Sequence, residues 1–296
     1  MAIYDCFQYF DEDHIVDLRL NILDKYVDYF VIIESCFTHR GEKRKLKFDI
    51  NKFEKFKGKI IYKIFDKVPE KIYQIHESEK ENTKSGKYII NALLRENGQR
   101  NYISEGIKDA EDEDIILVSD VDEIPNLSNI NIREVKEKII LFKQDMFYYK
   151  FNLKLPSLIW TGTKGCKKKN LKTPQWLRNI KDKKYPIYRL DTLFSKTKYI
   201  DIKFINNGGW HFSNIKTASE IEHKLKSYLH HREFDINPLS LEEIKNIIKN
   251  KQAIYDLKVD KKVNKIGNGS DLEEYPLSKL PPYLQKNKEK YNLWLD

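Results

Sequence analysis

Residues 114–125, Asp-Ile-Ile-Leu-Val-Ser-Asp-Val-Asp-Glu-Ile-Pro, join a short apolar run to three acids and a proline. A continuous apolar run of this length is typical of a strand that is buried on both faces of a sheet. The acids follow the run directly, and Pro125 then turns the chain away. This stretch therefore predicts a central strand that carries acidic side chains at its carboxyl end.

The segments before this strand alternate between the two kinds of regular structure. Strands are predicted at 3–10, 29–34 and 59–65, and helices at 13–27 and 85–109. Such alternation favours an α/β fold with a mixed, mostly parallel sheet flanked by helices.

The second half of the chain has a different pattern. Shorter β segments are predicted at 139–153, 159–163 and 185–202, with lysine-rich loops between them. Towards the C-terminus we predict helices at 218–231 and 241–257, a loop at 261–270, and a short terminal helix docked by Tyr291, Leu293 and Trp294. The chain has no internal repeat and no Gly/Ser/Pro linker, which favours one continuous domain over 1–296.

Composition favours a globular protein. Of the 296 residues, 40% are hydrophobic and 12% aromatic, which is enough apolar surface to offset the entropy lost on folding. The three cysteines are widely spaced and lack the C-x-x-C pair of a zinc or redox site. No apolar run approaches the roughly 18 residues that span a bilayer, and the first residues lack a basic leader. We expect a cytoplasmic protein with no integral membrane segment. Peripheral contact with a membrane is compatible with this sequence.

The charge balance points to an anionic partner. The 54 Lys and Arg residues exceed the 45 Asp and Glu residues and give a net charge of +9. A nucleotide, a phosphorylated glycan, a membrane surface and a nucleic acid would each fit such a charge. Net charge alone does not choose among them.

Asp120 and Asp122 form a D-x-D pair directly after the predicted strand at 114–119. In parallel α/β sheets, ligands bind outside the carboxyl ends of the strands, so these side chains are expected in the binding crevice. Two carboxylates at this spacing could hold a common cation, and oxygen ligands suit Mg²⁺ or Mn²⁺ bridging a diphosphate. The alternative is that the acids only cap a turn or the next helix.

Two further segments carry residues of chemical interest. Glu96 and Arg100 lie four residues apart on a predicted helix, a spacing that also suits a surface ion pair. The segment 206–213 places a Gly-Gly pair just before Trp210 and His211, and glycines permit close backbone approach. A histidine beside a tryptophan can equally be a structural core residue.

Together these segments resemble glycosyltransferase family 17, the family of the β-1,4-mannosyl-glycoprotein 4-β-N-acetylglucosaminyltransferase. Seven segments occur in the family's order between residue 4 and about residue 235, the last of them followed by Lys224, Ser227 and His230. The seven are Tyr4-Asp-Cys-Phe7, Leu20-Asn-Ile-Leu23, Val27-Asp-Tyr-Phe-Val-Ile-Ile-Glu34, Thr38-His39, Glu96-Asn-Gly-Gln-Arg-Asn101, Ser119-Asp-Val-Asp-Glu-Ile-Pro125 and Gly208-Gly-Trp-His-Phe-Ser213.

The resemblance implies a GT-A-type fold and an inverting, metal-dependent glycosyltransferase of a soluble bacterial or viral type. Its donor would be a nucleotide-sugar, with UDP as the expected nucleotide and N-acetylglucosamine or another hexose as the sugar. Its acceptor would be a glycan hydroxyl. Residues 1–135 would form the nucleotide-sugar-binding half, 136–235 the acceptor-binding half, and 236–296 a C-terminal helical extension.

The resemblance also assigns roles to individual residues. Asp120, Asp122 and His211 would hold Mn²⁺ or Mg²⁺, and Glu123 would orient the neighbouring acids. The catalytic base would be Asp145 or Glu222. The nucleotide would be bound by Glu34, Thr38, His39, Arg100, Asn101 and Asp120.

Two other functional classes remain as alternatives. A non-catalytic protein that binds nucleotide-sugars or glycans could share the same scaffold. A nucleic-acid-binding protein would fit the net charge and the aromatic residues interleaved with lysine at 143–154. Because no recognisable nucleic-acid-binding module is present, we expect no nucleic-acid partner.

Overall fold

A computed structural model describes residues 1–229, 231–255 and 269–296. Its strands are β1 (Ile3–Tyr9), β2 (Tyr29–Ser35), β3 (Ile60–Phe65), β4 (Ile115–Asp120), β5 (Glu123–Pro125), β6 (Ile139–Tyr148), β7 (Leu153–Lys167), β8 (Ile202–Ile205), β9 (Gly209–Ser213) and β10 (Glu273–Glu274). Its α-helices are α1 (Asp13–Leu23), α2 (Glu81–Asn101), α3 (Ile103–Gly106), α4 (Pro174–Asn179), α5 (Asp191–Phe194), α6 (Ala218–Ser227), α7 (His231–Ile236), α8 (Leu241–Lys249) and α9 (Pro282–Lys286).

The strands form one mixed sheet in the order β3-β2-β1-β4-β7-β6-β9-β5, with β8 beside β6 and β10 beside β7. The first four strands of this order are parallel to one another. Strand β7 runs antiparallel to both β4 and β6, whereas β8 and β9 run parallel to β6. The predicted α/β fold with a mixed sheet flanked by helices is confirmed.

The central strands are buried on both faces, as their continuous apolar runs predict. In β2, Phe30 and Ile32 belong to one buried cluster, whereas Val31 and Ile33 belong to another. This division follows from the alternation of side chains along a strand. Each fully buried side chain of this size contributes roughly 1.5–3 kcal/mol of burial free energy. Helix α1 supplies Leu18 to the first cluster, and α3 supplies Ile103 to the second.

The parallel register determines what meets at the carboxyl edge of the sheet. Gln8 of β1 lies opposite both Ile33 of β2 and Asp120 of β4. The chain leaves all three strands at this edge, so the loops that follow them converge there. The D-x-D segment therefore lies at the edge of the sheet where the sequence places it.

Several predicted elements differ from the structure. The β segment at 185–202 is wrong: this stretch forms a loop with the single turn of α5, and β8 begins only at Ile202. The apolar residues that suggested a strand here are solvent-exposed and do not lie in the sheet. The helix at 85–109 begins earlier and is divided into α2 and α3 at Tyr102. In the C-terminal segment Tyr291 is buried and Trp294 packs against the first cluster, but Leu293 is exposed and does not dock the chain.

Helix α8 is shorter than predicted. It ends at Lys249 because Lys251 adopts a positive φ of 50° and Gln252 forms a β-bridge with Asp271. The last two residues of the predicted helix, and the predicted loop at 261–270 except for its final two residues, lie outside the described part of the chain. Among the described residues, no α-helix has the combined length and apolarity needed to cross a membrane.

Candidate active site

A cavity of about 350 Å³ opens at the carboxyl ends of β1, β2 and β4. The first strands contribute Gln8, Ser35 and Asp120 to its wall. The opposite wall comes from β6, β7, β9 and α6 with the residues that follow it, and includes Met146, Tyr148, Trp160, His211, Lys224 and Tyr228. Its volume lies in the range of sites for small ligands. The cavity thus lies where ligands bind in open α/β sheets.

Two arginines donate hydrogen bonds to the carboxylate of Asp120. Its Oδ1 accepts a hydrogen bond from Arg100 Nη2 at 2.9 Å, and its Oδ2 accepts one from Arg178 Nη2 at 3.0 Å. Burial acts to raise the pKa of Asp120, but the charges of Arg178 and Arg100 outweigh it and keep this pKa well below its usual range. Asp120 therefore stays ionised, with its charge balanced inside the protein.

Glu123 is fully buried and has protein partners on both oxygens. Arg178 donates to both of them, at 2.7 Å and 3.0 Å. Trp160 Nε1 donates to Oε1 at 2.7 Å, and the backbone N–H of Asp120 donates to Oε2 at 2.9 Å. A bidentate, charge-assisted pair of this kind fixes geometry as well as charge. Glu123 therefore has the geometry of a residue that orients Asp120 and Trp160, and it does not line the cavity.

Arg178 links these acids to helix α4, and the sequence did not point to it. The helix begins at Pro174, with Thr173 accepting a hydrogen bond from Trp176 N, a common N-terminal arrangement. At its other end, Lys164 of β7 donates to the carbonyls of Arg178 and Ile180, each at 2.6 Å. The Thr-Pro pair marks the start of a helix in the sequence, but nothing local to α4 shows which acids its arginine reaches.

Asp122 and His211 face each other across β5 and β9. Glu123 pairs with His211 in this antiparallel ladder, which places His211 Nε2 3.5 Å from Asp122 Oδ1. Burial acts to lower the pKa of His211, but the negative charge of Asp122 outweighs it and raises this pKa. The Nδ1 atom of His211 is buried and has no hydrogen-bond partner in the described part of the chain.

The second glycine of the Gly-Gly pair is needed for this pairing. Gly209 has a φ of +131°, and a Cβ at this position would lie 2.1 Å from the carbonyl oxygen of Ile124. Glycine is therefore required at 209, because it allows β9 to lie against β5. The close backbone approach that the sequence suggests is between two strands of the protein.

The residues at this edge can supply some, but not all, of the ligands of a divalent cation. No group of three or more His, Cys, Asp or Glu side chains within the described ranges has the arrangement of a metal site. Mg²⁺ and similar ions are often held by one or two protein ligands, with water and substrate phosphates completing the shell. Asp122 and His211 line the cavity and fit that smaller set. Asp120 differs from them, since both of its oxygens accept from arginine.

Half of the residues predicted to bind nucleotide line the cavity, namely Thr38, His39 and Asp120. Thr38 Oγ1 accepts hydrogen bonds from Gly41 N and Glu42 N and so shapes the loop after β2. Desolvation lowers the pKa of His39, which favours its neutral form.

The other three, Glu34, Arg100 and Asn101, are not among the described lining residues. Glu34 accepts hydrogen bonds from the backbone N–H groups of residues 47 and 48, while Arg100 and Asn101 contact Gln175 of α4. These side chains build the layer behind the wall.

The structure does not bring the two predicted bases to the cavity. Met146 and Tyr148 of β6 line the cavity. Because side chains alternate along a strand, the neighbouring Asp145 points to the other face of the sheet. There its carboxylate lies 2.7 Å from the ammonium of Lys154. Glu222 accepts a hydrogen bond from Lys226, one turn further along α6, also at 2.7 Å. The carboxylates that do line the cavity in the described part of the chain are Glu12, Glu96, Asp120 and Asp122.

Aromatic side chains form much of the remaining wall. Phe10 and Phe37 follow β1 and β2, and Trp160 and Tyr228 lie on the opposite side. The guanidinium of Arg44 lies 4.4 Å from the centre of the Phe10 ring and holds it in place. Flat apolar faces beside a few polar groups suit ligands with rings, such as bases and sugars. No motif in the sequence marks these aromatic residues.

A known family matches the whole chain. The profile of glycosyltransferase family 17 matches residues 1–296, the whole chain. No curated protein matches the chain. The full-length match agrees with the order of the seven segments and with a ligand-sized cavity at the D-x-D segment. The chain belongs to glycosyltransferase family 17 and is a glycosyltransferase, with a glycosyl donor and an acceptor as its substrates.

Proposed function

We propose that this glycosyltransferase transfers N-acetylglucosamine or another hexose from a UDP-sugar to a glycan hydroxyl, with inversion and with Mn²⁺ or Mg²⁺ bound. We also propose that its fold is of the GT-A type. The observation that carries the proposal is the cavity at the strand ends, where Asp122 and His211 face one another beside a charge-balanced Asp120. Four parallel strands leading to a D-x-D segment support the GT-A assignment.

The donor's nucleoside is proposed to lie against the first strands. Phe10 and Phe37 offer flat faces for a pyrimidine ring, and Thr38 and His39 offer polar atoms for the ribose. Lys224, which also lines the cavity, offers a positive charge for the diphosphate or for an anionic acceptor. In this proposal the sugar lies between the first strands and the wall that contains Trp160 and Tyr228.

Asp122 and His211 are the residues proposed to hold the cation. The chemistry that a divalent cation supplies when bound there is stabilisation of the charge on the departing diphosphate. Glu123 and the two arginines keep the backbone and side chain of Asp120 in place at the same edge. Pre-positioned charges of this kind need no reorganisation during the reaction.

The inverting reaction needs one base within hydrogen-bond reach of the acceptor hydroxyl. A base that acts in this cavity must be one of its lining groups. Both oxygens of Asp120 already accept hydrogen bonds from arginines. The Oε1 atom of Glu12 lies 3.6 Å from the ammonium of Lys216. Asp145 and Glu222 stay predictions from the family resemblance, and their positions outside the cavity do not support this role.

The test combines binding and turnover. Thermal shifts are measured with UDP-, GDP-, CMP- and dTDP-sugars, each with and without Mn²⁺, and donor hydrolysis is measured in parallel. We expect stabilisation by a UDP-sugar that requires Mn²⁺, because a ligand at 100 times its Kd adds about 2.7 kcal/mol to the free energy of unfolding. Stabilisation without any turnover in the presence of glycan acceptors would identify a binding protein on the same scaffold.

The matched variants are Asp122→Asn and Asp112→Asn, since Asp112 is exposed and precedes β4 at the opposite edge of the sheet. Asp122→Asn should lower turnover by about 10²-fold or more with an unchanged unfolding midpoint, and Asp112→Asn should change neither. Full activity of Asp122→Asn in EDTA would refute the metal role of this residue.

A further inference from the structure

The loop at residues 181–198, between α4 and β8, carries a cluster of exposed apolar side chains. Five large ones lie within eight residues, with exposed fractions from 70% to 89%. They are Ile187, Tyr188, Leu190, Leu193 and Phe194, which we call the apolar tip. Single exposed apolar residues are ordinary, but a contiguous group marks a surface that binds a partner.

The apolar tip is presented by a loop with its own hydrogen bonds. At the base, Lys181 N donates to Thr197 O at 2.8 Å, and Trp176 Nε1 donates to Lys196 O at 2.9 Å. Inside the loop, the buried Thr192 donates its hydroxyl proton to the carbonyl of Arg189 at 2.6 Å. Thr192 therefore turns inwards while its apolar neighbours turn outwards.

Basic residues flank the apolar tip along the loop. Residues 181–198 contain six basic and two acidic side chains. Both acids are paired within the protein: Asp182 with Lys143, and Asp191 with Arg189 at 2.7 Å and Lys198 at 2.8 Å. The exposed lysines at 181, 183, 184 and 196 thus give the rim of the tip a net positive charge.

We propose that this loop docks the protein on an anionic phospholipid surface. The apolar tip would enter the boundary between head groups and acyl chains, and the surrounding lysines would meet lipid phosphates. Membrane-surface segments combine aromatic and aliphatic side chains with lysine in this way, and anionic lipids attract each lysine. Protein interfaces, by contrast, are depleted of lysine. The charge around the tip therefore favours a membrane over a protein partner.

The position of the loop relates this surface to the cavity. Helix α4, which leads into the loop, carries Arg178, and Asp182 contacts Thr161 next to the cavity-lining Trp160. Docking would turn this wall of the cavity towards the lipid. Docking on a membrane does not depend on the glycosyl transfer reaction, so the test measures vesicle binding and not turnover.

The experiment is co-sedimentation of the full chain with vesicles of two compositions. One is pure phosphatidylcholine and the other contains phosphatidylcholine and phosphatidylglycerol. The tip variant replaces Ile187, Leu193 and Phe194 with serine. The matched control replaces Val68 and Leu293 with serine, since these are 57% and 63% exposed but lie outside the loop. Because all of these side chains are exposed, each variant should keep the unfolding midpoint of the wild type.

We expect wild type and control to bind the anionic vesicles and not the neutral ones. The tip variant should bind at least tenfold more weakly, and Lys183→Gln with Lys184→Gln should weaken binding roughly fivefold per lysine. Binding should also weaken as salt is raised towards about 1 M. Failure of wild type to bind anionic vesicles, or equal binding by the tip variant, would overturn the proposal. A wild-type dimer that the tip variant abolishes, without vesicle binding, would assign the surface to a second copy instead.

Discussion

Arg178 offers the sharpest test of the site's construction. Its guanidinium donates to both Glu123 oxygens, to Asp120 Oδ2 and to the carbonyl of Gly162, with distances between 2.6 Å and 3.0 Å. Arg178→Met would leave the fully buried Glu123 with Trp160 and one backbone N–H as partners. Removing one member of a buried ion pair typically costs about 3–5 kcal/mol. We expect a loss of this size in the free energy of unfolding.

The measurement is urea denaturation followed by tryptophan fluorescence, with the midpoint and slope fitted together. Arg178→Lys should recover only part of the loss, because an ammonium cannot reproduce the planar fork. Arg189→Met is the control, since its pair with Asp191 is exposed and such pairs contribute about 0–1 kcal/mol.

A double-mutant cycle separates the pair from a general packing effect. Arg178→Met combined with Glu123→Gln should cost at least about 1 kcal/mol less than the sum of the two single variants. A cost of less than about 1 kcal/mol for Arg178→Met, or simple additivity of the two changes, would refute the proposed role of this ion pair.

Three further predictions concern the cavity and its surroundings. His211→Ala should weaken the apparent Mn²⁺ affinity about 10–100-fold; an unchanged metal titration would make His211 an acceptor-wall residue. Asp145→Asn should keep turnover within about threefold of wild type, because Asp145 faces away from the cavity, whereas loss of a general base costs about 10²–10⁴-fold. Burial acts to raise the pKa of Glu12, but Lys216 and Lys224 outweigh it and lower this pKa from 4.5 to about 2. Glu12 therefore stabilises the fold above its unfolded-state pKa and loses that contribution as pH falls towards 2. Glu12→Gln should cost about 3 kcal/mol at pH 7, and a difference from wild type that does not shrink below pH 5 would contradict this.

The sequence predicts the central sheet well because the relevant signals are local. The apolar runs of β2 and β4 are short, continuous and followed directly by polar residues. Burial on both faces requires such runs, and helices between them require parallel pairing. The same argument places Asp120 and Asp122 at the carboxyl edge, where the cavity lies.

Long-range pairings account for what the sequence did not reveal. Arg178 lies 58 residues from Asp120 and 55 from Glu123, and no spacing rule connects a short helix after β7 with acids after β4. For Asp145, alternation predicts which residues of β6 share a face, but only the pairing of β6 with β9 decides which face meets the cavity. The density of apolar residues at 187–194 suggested a buried strand. In the structure these residues lie on a surface loop, and their spacing in the sequence does not distinguish the two cases.

The D-x-D spacing correctly predicts where Asp120 and Asp122 lie, but it does not predict which groups they contact. The spacing of Asp120 and Asp122 implies two carboxylates that share one ligand. In the structure β4 ends at Asp120, and the chain turns before β5, so the two side chains meet different partners. Arginines from α2 and α4 balance the charge of Asp120, whereas Asp122 meets His211 across the β5–β9 ladder. Both acids therefore line the cavity, but arginines balance the charge of Asp120, whereas Asp122 has a histidine beside it.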